Sequence, residues 1–123
     1  MKIKMAVIDD DNGITSMVKD AFSSPDFQVE YANTGKEGIR MVEELNPDIL
    51  LLDIQLPDMT GWEICEKLRG HRAYKRIPVI MMSGQFGQAE DKAKGLQIGA
   101  DDYVDKPFSL SVLRAKVEVL LRK

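Results

Sequence analysis

Four consecutive apolar residues, Ile49 to Leu52, run directly into a carboxylate at Asp53, and Pro57 and Gly61 break regular structure soon after. A run of four is too short for an independent helix and suits a strand buried on both faces, as in a parallel sheet. Such a strand ends at an aqueous edge, so Asp53 is expected at its carboxyl end beneath a loop. Open α/β sheets bind ligands along that edge.

The rest of the chain fits around this strand as a series of βα units. Met5 to Ile8 is a strand leading into the acids Asp9, Asp10 and Asp11, after which Ile14, Met17, Val18, Ala21 and Phe22 share one helical face. Asp11 or Asn12 caps that helix. Phe27 to Ala32 is a second strand; Thr34 and Glu37 have capping-box spacing before a helix with Ile39, Val42 and Leu45 inward, stopped by Asn46-Pro47. Trp62 to Arg69 is a third helix and Val79 to Met82 a fourth strand that ends at Ser83-Gly84. Ala89, Ala93, Leu96 and Ile98 mark a fourth helix closed by Gly99. Tyr103-Val104 is a short fifth strand, and Leu110, Leu113, Val117, Leu120 and Leu121 lie on a final amphipathic helix. Right-handed crossovers then place helices on both faces of one parallel sheet.

At 123 residues and 44% hydrophobic content the chain forms one domain, 1–123, with one core. A net charge of -3 gives no global attraction to nucleic acid or anionic membrane, so neither is expected as a direct partner. The single cysteine, Cys65, cannot form an intrachain disulfide, which suits a reducing compartment. The start, Met-Lys-Ile-Lys-Met, lacks a signal-peptide apolar region, and no apolar run reaches membrane-spanning length. A cytoplasmic location is expected.

The strand ends carry the chemistry. Asp9 and Asp10 follow the first strand, Asp53 the third, Ser83 the fourth and Lys106 the fifth, all on one sheet edge. Two carboxylates about 4 Å apart repel by roughly 4 kcal/mol at an effective dielectric of about 20. An oxygen-loving divalent cation such as Mg²⁺ offsets that repulsion. A lysine ammonium and a serine hydroxyl beside it supply what a phosphoryl oxygen needs, a fixed positive charge and a hydrogen-bond donor. The constellation points to phosphoryl chemistry on an aspartate.

Asp9-Asp10, Asp53 with Pro57 and Gly61, Ser83-Gly84, Tyr103 and Lys106-Pro107, in this order and spacing, resemble the receiver domain of two-component response regulators over nearly the whole chain. The resemblance implies a flavodoxin-like, doubly wound sheet of five parallel strands in the order 2-1-3-4-5. It implies that Asp53 accepts a phosphoryl group from a phosphohistidine on a histidine kinase or histidine phosphotransfer protein, forming an acyl phosphate. Asp10 and Asp53 would ligate Mg²⁺ or Mn²⁺, Asp9 would help directly or through water, and the main-chain carbonyl of Gln55 would complete the protein's share of the shell. Lys106 would pair with one phosphoryl oxygen, Ser83 and Gly84 would bind the group beside it, and Tyr103 would turn inward as Ser83 moves. In the family the Lys106-Pro107 bond is commonly cis. Gln55 and Gln85 match positions flanking the attacking water and would set the phosphate lifetime.

Other residues have plainer expectations. Asp11 reads as a cap or solvated acid, Asp58 as a turn residue, His71 as part of a solvated basic loop, Cys65 as a packed thiol, and Met81 and Met82 as strand core. Trp62 is expected within sight of the site. Ser83 stands where many family members have threonine, which keeps the hydroxyl and loosens its rotamer.

The expected function is a phosphorylation switch acting through the fourth helix, fifth strand and fifth helix, a signalling domain rather than an enzyme. A haloacid-dehalogenase-like phosphatase would carry a second acid two residues after the nucleophile, and Gln55 occupies that position. A phosphorylation-independent scaffold with the same fold is the other alternative, although degenerate members usually lack the acceptor or the lysine. With nothing after Lys123, output is expected by binding, as a stand-alone regulator or as a receiver cut from a longer protein. The tail resembles receivers that precede winged-helix DNA-binding domains and form homodimers on phosphorylation. Those use charged pairs on the last helix, where this chain has Val112 in place of an acid and Lys116 in place of arginine.

Overall fold

The computed structural model describes residues 2–84 and 89–122. The elements run β1 (Ile3–Ile8), α1 (Asn12–Ala21), β2 (Phe27–Ala32), α2 (Gly35–Leu45), β3 (Ile49–Asp53), α3 (Gly61–Arg69), β4 (Val79–Ser83), α4 (Ala89–Ile98), β5 (Asp102–Asp105) and α5 (Leu110–Leu121). All pair in parallel, in the order β2-β1-β3-β4-β5, as expected.

Alternation along the strands explains the unbroken apolar runs. Ala6, Ile8, Leu50, Leu52, Val79, Met81 and Tyr103 face one layer with Val42 of α2 and Ile64, Cys65 and Leu68 of α3. Met5, Val7, Ile49, Leu51, Ile80, Met82 and Val104 face the other, against Val18 and Phe22 on the α1 side and Leu113, Val117 and Leu120 of α5. Ile49 to Leu52 are all fully buried, each contributing about 1.5–3 kcal/mol. The first strand is longer than its apolar run because Ile3 and Lys4 pair with Phe27 and Gln28 on the exposed rim.

The helix starts are set by side-chain caps. Asp11 accepts from Gly13 N at 2.8 Å and Ile14 N at 3.4 Å, which settles the cap of α1 in its favour over Asn12. Thr34 accepts from Glu37 N at 3.1 Å and donates to Glu37 Oε1 at 3.0 Å, so the glutamate returns to the hydroxyl. Thr60 and Ser109 cap α3 and α5, and each such cap is worth about 1 kcal/mol. Asn46, in the left-handed region at φ 50°, ends α2.

Three apolar positions differ from expectation, the exposed Ala93 among them. Leu96 is 54% exposed and Leu110 is 38% exposed. Among the described residues of α4 the inward positions are Gly95 and the half-buried Ile98, so this side facing the sheet is shallow where periodicity suggested leucine. Leu110 opens α5 before the helix has reached the core.

Candidate functional site

The strand order reverses between β1 and β3, and a cleft opens at the carboxyl ends of these strands and of β4 and β5. It has a volume of about 480 Å³ and is lined by Asp10, Asp53, Gln55, Trp62, Ser83 and Lys106, among others. Carboxylate oxygens of Asp9, Asp10 and Asp53 lie within 4.8 Å of one another. Two stretches of sequence separated by more than forty residues meet in this one group.

Asp9 is completely buried, Asp53 is 5% exposed, and Asp10 faces solvent. One Asp9 oxygen, Oδ1, accepts from Asp11 N at 2.9 Å, and the other lies 2.6 Å from Lys106 Nζ. The same ammonium is 3.5 Å from Asp53 Oδ2. Burial pushes the Asp53 carboxyl up to about 6, with the charge of Asp9 adding to the rise and Lys106 and the Gln55 backbone N–H opposing it. Burial alone would lower the Lys106 ammonium, but its hydrogen bond to Asp9 and the charges of Asp53 and Asp9 outweigh burial and raise it. Lys106 therefore remains charged and acts as the counter-ion of the two buried acids.

The opposite wall is more loosely held. Ser83 is 3% exposed and its hydroxyl donates to the Gly84 carbonyl at 3.3 Å, a long bond. Gly84 is exposed, and a side chain there would meet no atom within 4 Å among the described residues. Tyr103 does not line the cleft; its ring is buried under α4 against Gly95. Lys106-Pro107 is cis. Gln85 lies outside the described residues.

Trp62 stands at the cleft as expected, with the Lys94 ammonium 4.3 Å from its ring centroid and its indole N–H buried without a hydrogen-bond acceptor among the described residues. His71 stacks on Tyr74 at 4.6 Å and its Nδ1 accepts from Ala73 N, in the exposed loop after α3. Cys65, Met81 and Met82 are core residues, and burial pushes the Cys65 thiol up.

The supporting roles of three residues escaped the sequence. Asn33, following β2, donates to the Asp9 carbonyl at 2.9 Å and to Asn12 Oδ1 at 3.0 Å, fixing the backbone that carries the acids. Its position just past a strand was the available signal. Asp58 is more than a turn residue: its carboxylate accepts from Gly35 N at 2.8 Å and Lys36 N at 2.9 Å, tying the loop after β3 to the start of α2. Those N–H groups hold its carboxyl below the usual range. Gly61 donates to the Ile54 carbonyl at 2.6 Å, and a Cβ there would strike the Asp53 carbonyl oxygen. Asx chemistry and a lone glycine do not reveal such distant partners.

The doubly wound sheet with an acidic cleft and one lysine at its reversal defines a receiver-like architecture. A family model for the response regulator receiver domain matches residues 5–118. The chain is 36% identical over 120 residues to the DNA-binding dual master transcriptional regulator RpaA of Synechocystis sp., covering 98% of this chain and 49% of that protein. It is also 36% identical over 120 residues to the phosphate regulon transcriptional regulatory protein PhoB of Rhizobium meliloti, covering 98% and 52%. The chain thus spans about half the length of these curated relatives. Among solved structures, a CheY-like response regulator receiver domain protein from Methanospirillum hungatei matches with a TM-score of 0.91 at 31% identity, over 99% of this chain and 95% of that one. The chain belongs to the response regulator receiver family of two-component signalling.

Proposed function

We propose that residues 1–123 act as one phosphoacceptor domain, with Asp53 as the acceptor. The observation that carries this reading is the group of three carboxylates within 4.8 Å of one another, with Lys106 between the two buried ones. At pH 7 a carboxyl titrating at about 6 is ionised roughly ten to one. An Asp53 oxygen attacks the phosphorus of a phosphohistidine on a histidine kinase or phosphotransfer protein; the P–N bond breaks, its electrons stay on the imidazole, and an acyl phosphate remains on Asp53. The chain accepts and loses the phosphoryl group without turning over a separate substrate, which makes it a signalling domain rather than an enzyme.

The all-oxygen donor set, clustered and only partly neutralised by Lys106, fits a hard divalent ion, Mg²⁺ or Mn²⁺, held by Asp10, Asp53, the Gln55 carbonyl and Asp9 directly or through water. Such an ion supplies charge neutralisation to the phosphoryl oxygens. Lys106 moves from Asp9 and Asp53 to a phosphoryl oxygen. Ser83 gives up its long bond to Gly84 and donates to another, while Gly84, having no side chain, leaves the approach open. Gln55, exposed at the rim, and Gln85 orient or exclude the hydrolytic water.

Output passes through α4, β5 and α5 to a downstream target or effector domain, with Tyr103 as the switch. That two relatives are transcriptional regulators by name supports an effector that acts on DNA, the receiver itself making no nucleic-acid or membrane contact. No helix among the described residues is long and apolar enough to cross a membrane, in keeping with a cytoplasmic site of action. Homodimerisation on phosphorylation is weak in this reading, because Lys116 already pairs with Asp102 of its own chain at 2.9 Å.

Intact mass after incubation with phosphoramidate or acetyl phosphate tests the proposal. One phosphoryl adduct is expected on wild type with Mg²⁺, and none after chelation or in Asp53→Asn. An adduct that persists in Asp53→Asn would remove Asp53 as acceptor. If no adduct forms, beryllofluoride binding separates a short-lived phosphate from an inert scaffold.

A further inference from the structure

Glycine inside a helix costs about 1 kcal/mol relative to alanine, yet α4 buries one at Gly95. The space its side chain would fill belongs to Tyr103. A Cβ at 95 would lie 2.7 Å from Tyr103 Cε2 and 2.9 Å from Cζ, and nearer still to Oη. These separations are below any real Cβ contact, so one partner would have to move.

The backbone on either side cannot easily do so. The Gly95 carbonyl accepts from Gly99 N at 3.1 Å and Ala100 N at 2.9 Å. Arg69 Nε donates to the Gly99 carbonyl at 2.9 Å, and its Nη2 pairs with Asp101 at 2.9 Å. Asp101 N in turn donates to the Val79 carbonyl at 2.8 Å. The residue preceding the glycine, Lys94, lies over the Trp62 ring, tying α4 to α3 beside the cleft. What can yield is the Tyr103 ring, by rotation about χ1. The register Met81–Tyr103 and Ser83–Asp105 puts Ser83 and Tyr103 on the same face of neighbouring strands, so the ring occupies the layer into which the serine side points.

We infer that Gly95 is a positioning residue for Tyr103: it forms the notch that admits the inward ring beneath α4, and side-chain size at 95 sets how readily the tyrosine adopts that state. The link from the notch to phosphoryl binding rests on the function proposed above; the steric claim does not. A side chain at 95 disfavours the inward ring and, through it, any ligand that binds the inward state more tightly.

The test uses four proteins: wild type, Gly95→Ala, Tyr103→Ala and the double variant. Beryllofluoride affinity with Mg²⁺ and thermal midpoint are measured for each. Gly95→Ala is expected to weaken beryllofluoride binding at least about fivefold and to lower the midpoint. In the Tyr103→Ala background the same change should leave affinity unaltered and raise the midpoint, since only the helix preference for alanine remains. Equal effects of Gly95→Ala in the two backgrounds, or none in either, overturn the notch. Failure of wild type to bind beryllofluoride would count against the phosphoacceptor reading alone, because the opposite signs of the midpoint shifts still decide the steric claim. If Gly95→Ala does not fold, a folded double variant supports the notch and an unfolded one overturns it.

Discussion

The two walls of the cleft are built differently. On the β1–β3 side, Asp9 is fixed through both carboxylate oxygens and its carbonyl, and the turn after Asp53 is closed by a 2.6 Å bond from Gly61 N to the Ile54 carbonyl. On the β4–β5 side, Ser83 makes a 3.3 Å bond to its neighbour's carbonyl and Tyr103 rests in a glycine notch. Preorganisation belongs where charge must be held at a fixed position. A side chain that must change partners is better held by contacts that cost little to break. The difference suits an acceptor that stays in place and a switch that moves around it.

The largest test of the rigid wall is Lys106→Ala, because this ammonium reaches from the end of β5 to Asp9 and Asp53. It leaves the buried Asp9 and Asp53 facing each other with no ammonium between them, and stranding a buried charge costs about 3 kcal/mol or more. Urea denaturation in metal-free buffer at pH 8 is expected to show a loss of that order. The loss should shrink toward pH 5, as Asp53 takes up a proton, and on adding Mg²⁺. An unchanged urea midpoint at pH 8 would mean that Lys106 is not the counter-ion of these acids.

Asp53→Asn probes the same charge pair with the opposite sign. The folded-state pKa of Asp53 is raised from 3.8 to about 6, so the folded protein binds this proton more tightly than the unfolded chain does. Its contribution to stability is fully present below pH 3.8 and is lost as pH rises through about 6. Above pH 7, without metal, Asp53→Asn should be more stable than wild type by about 2–3 kcal/mol. The difference between the two proteins should change across pH 4–6 and level off above; a difference that does not vary with pH would remove the strain assigned to Asp53.

Much of the cleft was legible in the chain because its signals are local. The run Ile49 to Leu52 demands a strand buried on both faces; Asp53 and Ser83 end their strands and Lys106 follows β5 at once, so sheet topology brings them together. Asn33, Asp58 and Gly61 were not legible in those roles, because their partners are set by how loops cross in three dimensions. Leu96 misled for a related reason. Periodicity assumes that the inward stripe of a helix is filled by large side chains, whereas α4 leaves that space to Tyr103.

Gly61→Ala tests geometry rather than charge. A methyl group at 61 would meet the Asp53 carbonyl carbon at 3.0 Å and Ile54 Cα at 3.1 Å, both backbone atoms with no rotamer to yield. Overpacking of this kind costs about 1–3 kcal/mol, and it displaces the peptide that carries Asp53, the proposed acceptor. Both the urea midpoint and the rate of phosphorylation by phosphoramidate should fall. A normal rate in a destabilised protein would separate the fold from the chemistry and make Gly61 a packing residue only.

The smallest effect is expected on the loose wall. Ser83→Thr keeps the hydroxyl and adds a β-branch, which narrows the χ1 choices. The hydroxyl then spends less time in orientations that cannot reach a phosphoryl oxygen, and a gain of about twofold in beryllofluoride affinity is expected if a few tenths of a kcal/mol of rotamer freedom is removed in advance. Trp62, which lines the same cleft, reports the titration by fluorescence. Stability should barely change, in contrast to the substitutions at Lys106, Asp53 and Gly61. A large loss of stability in Ser83→Thr would show that this wall is packed as tightly as its opposite, and the division of labour between them would fail.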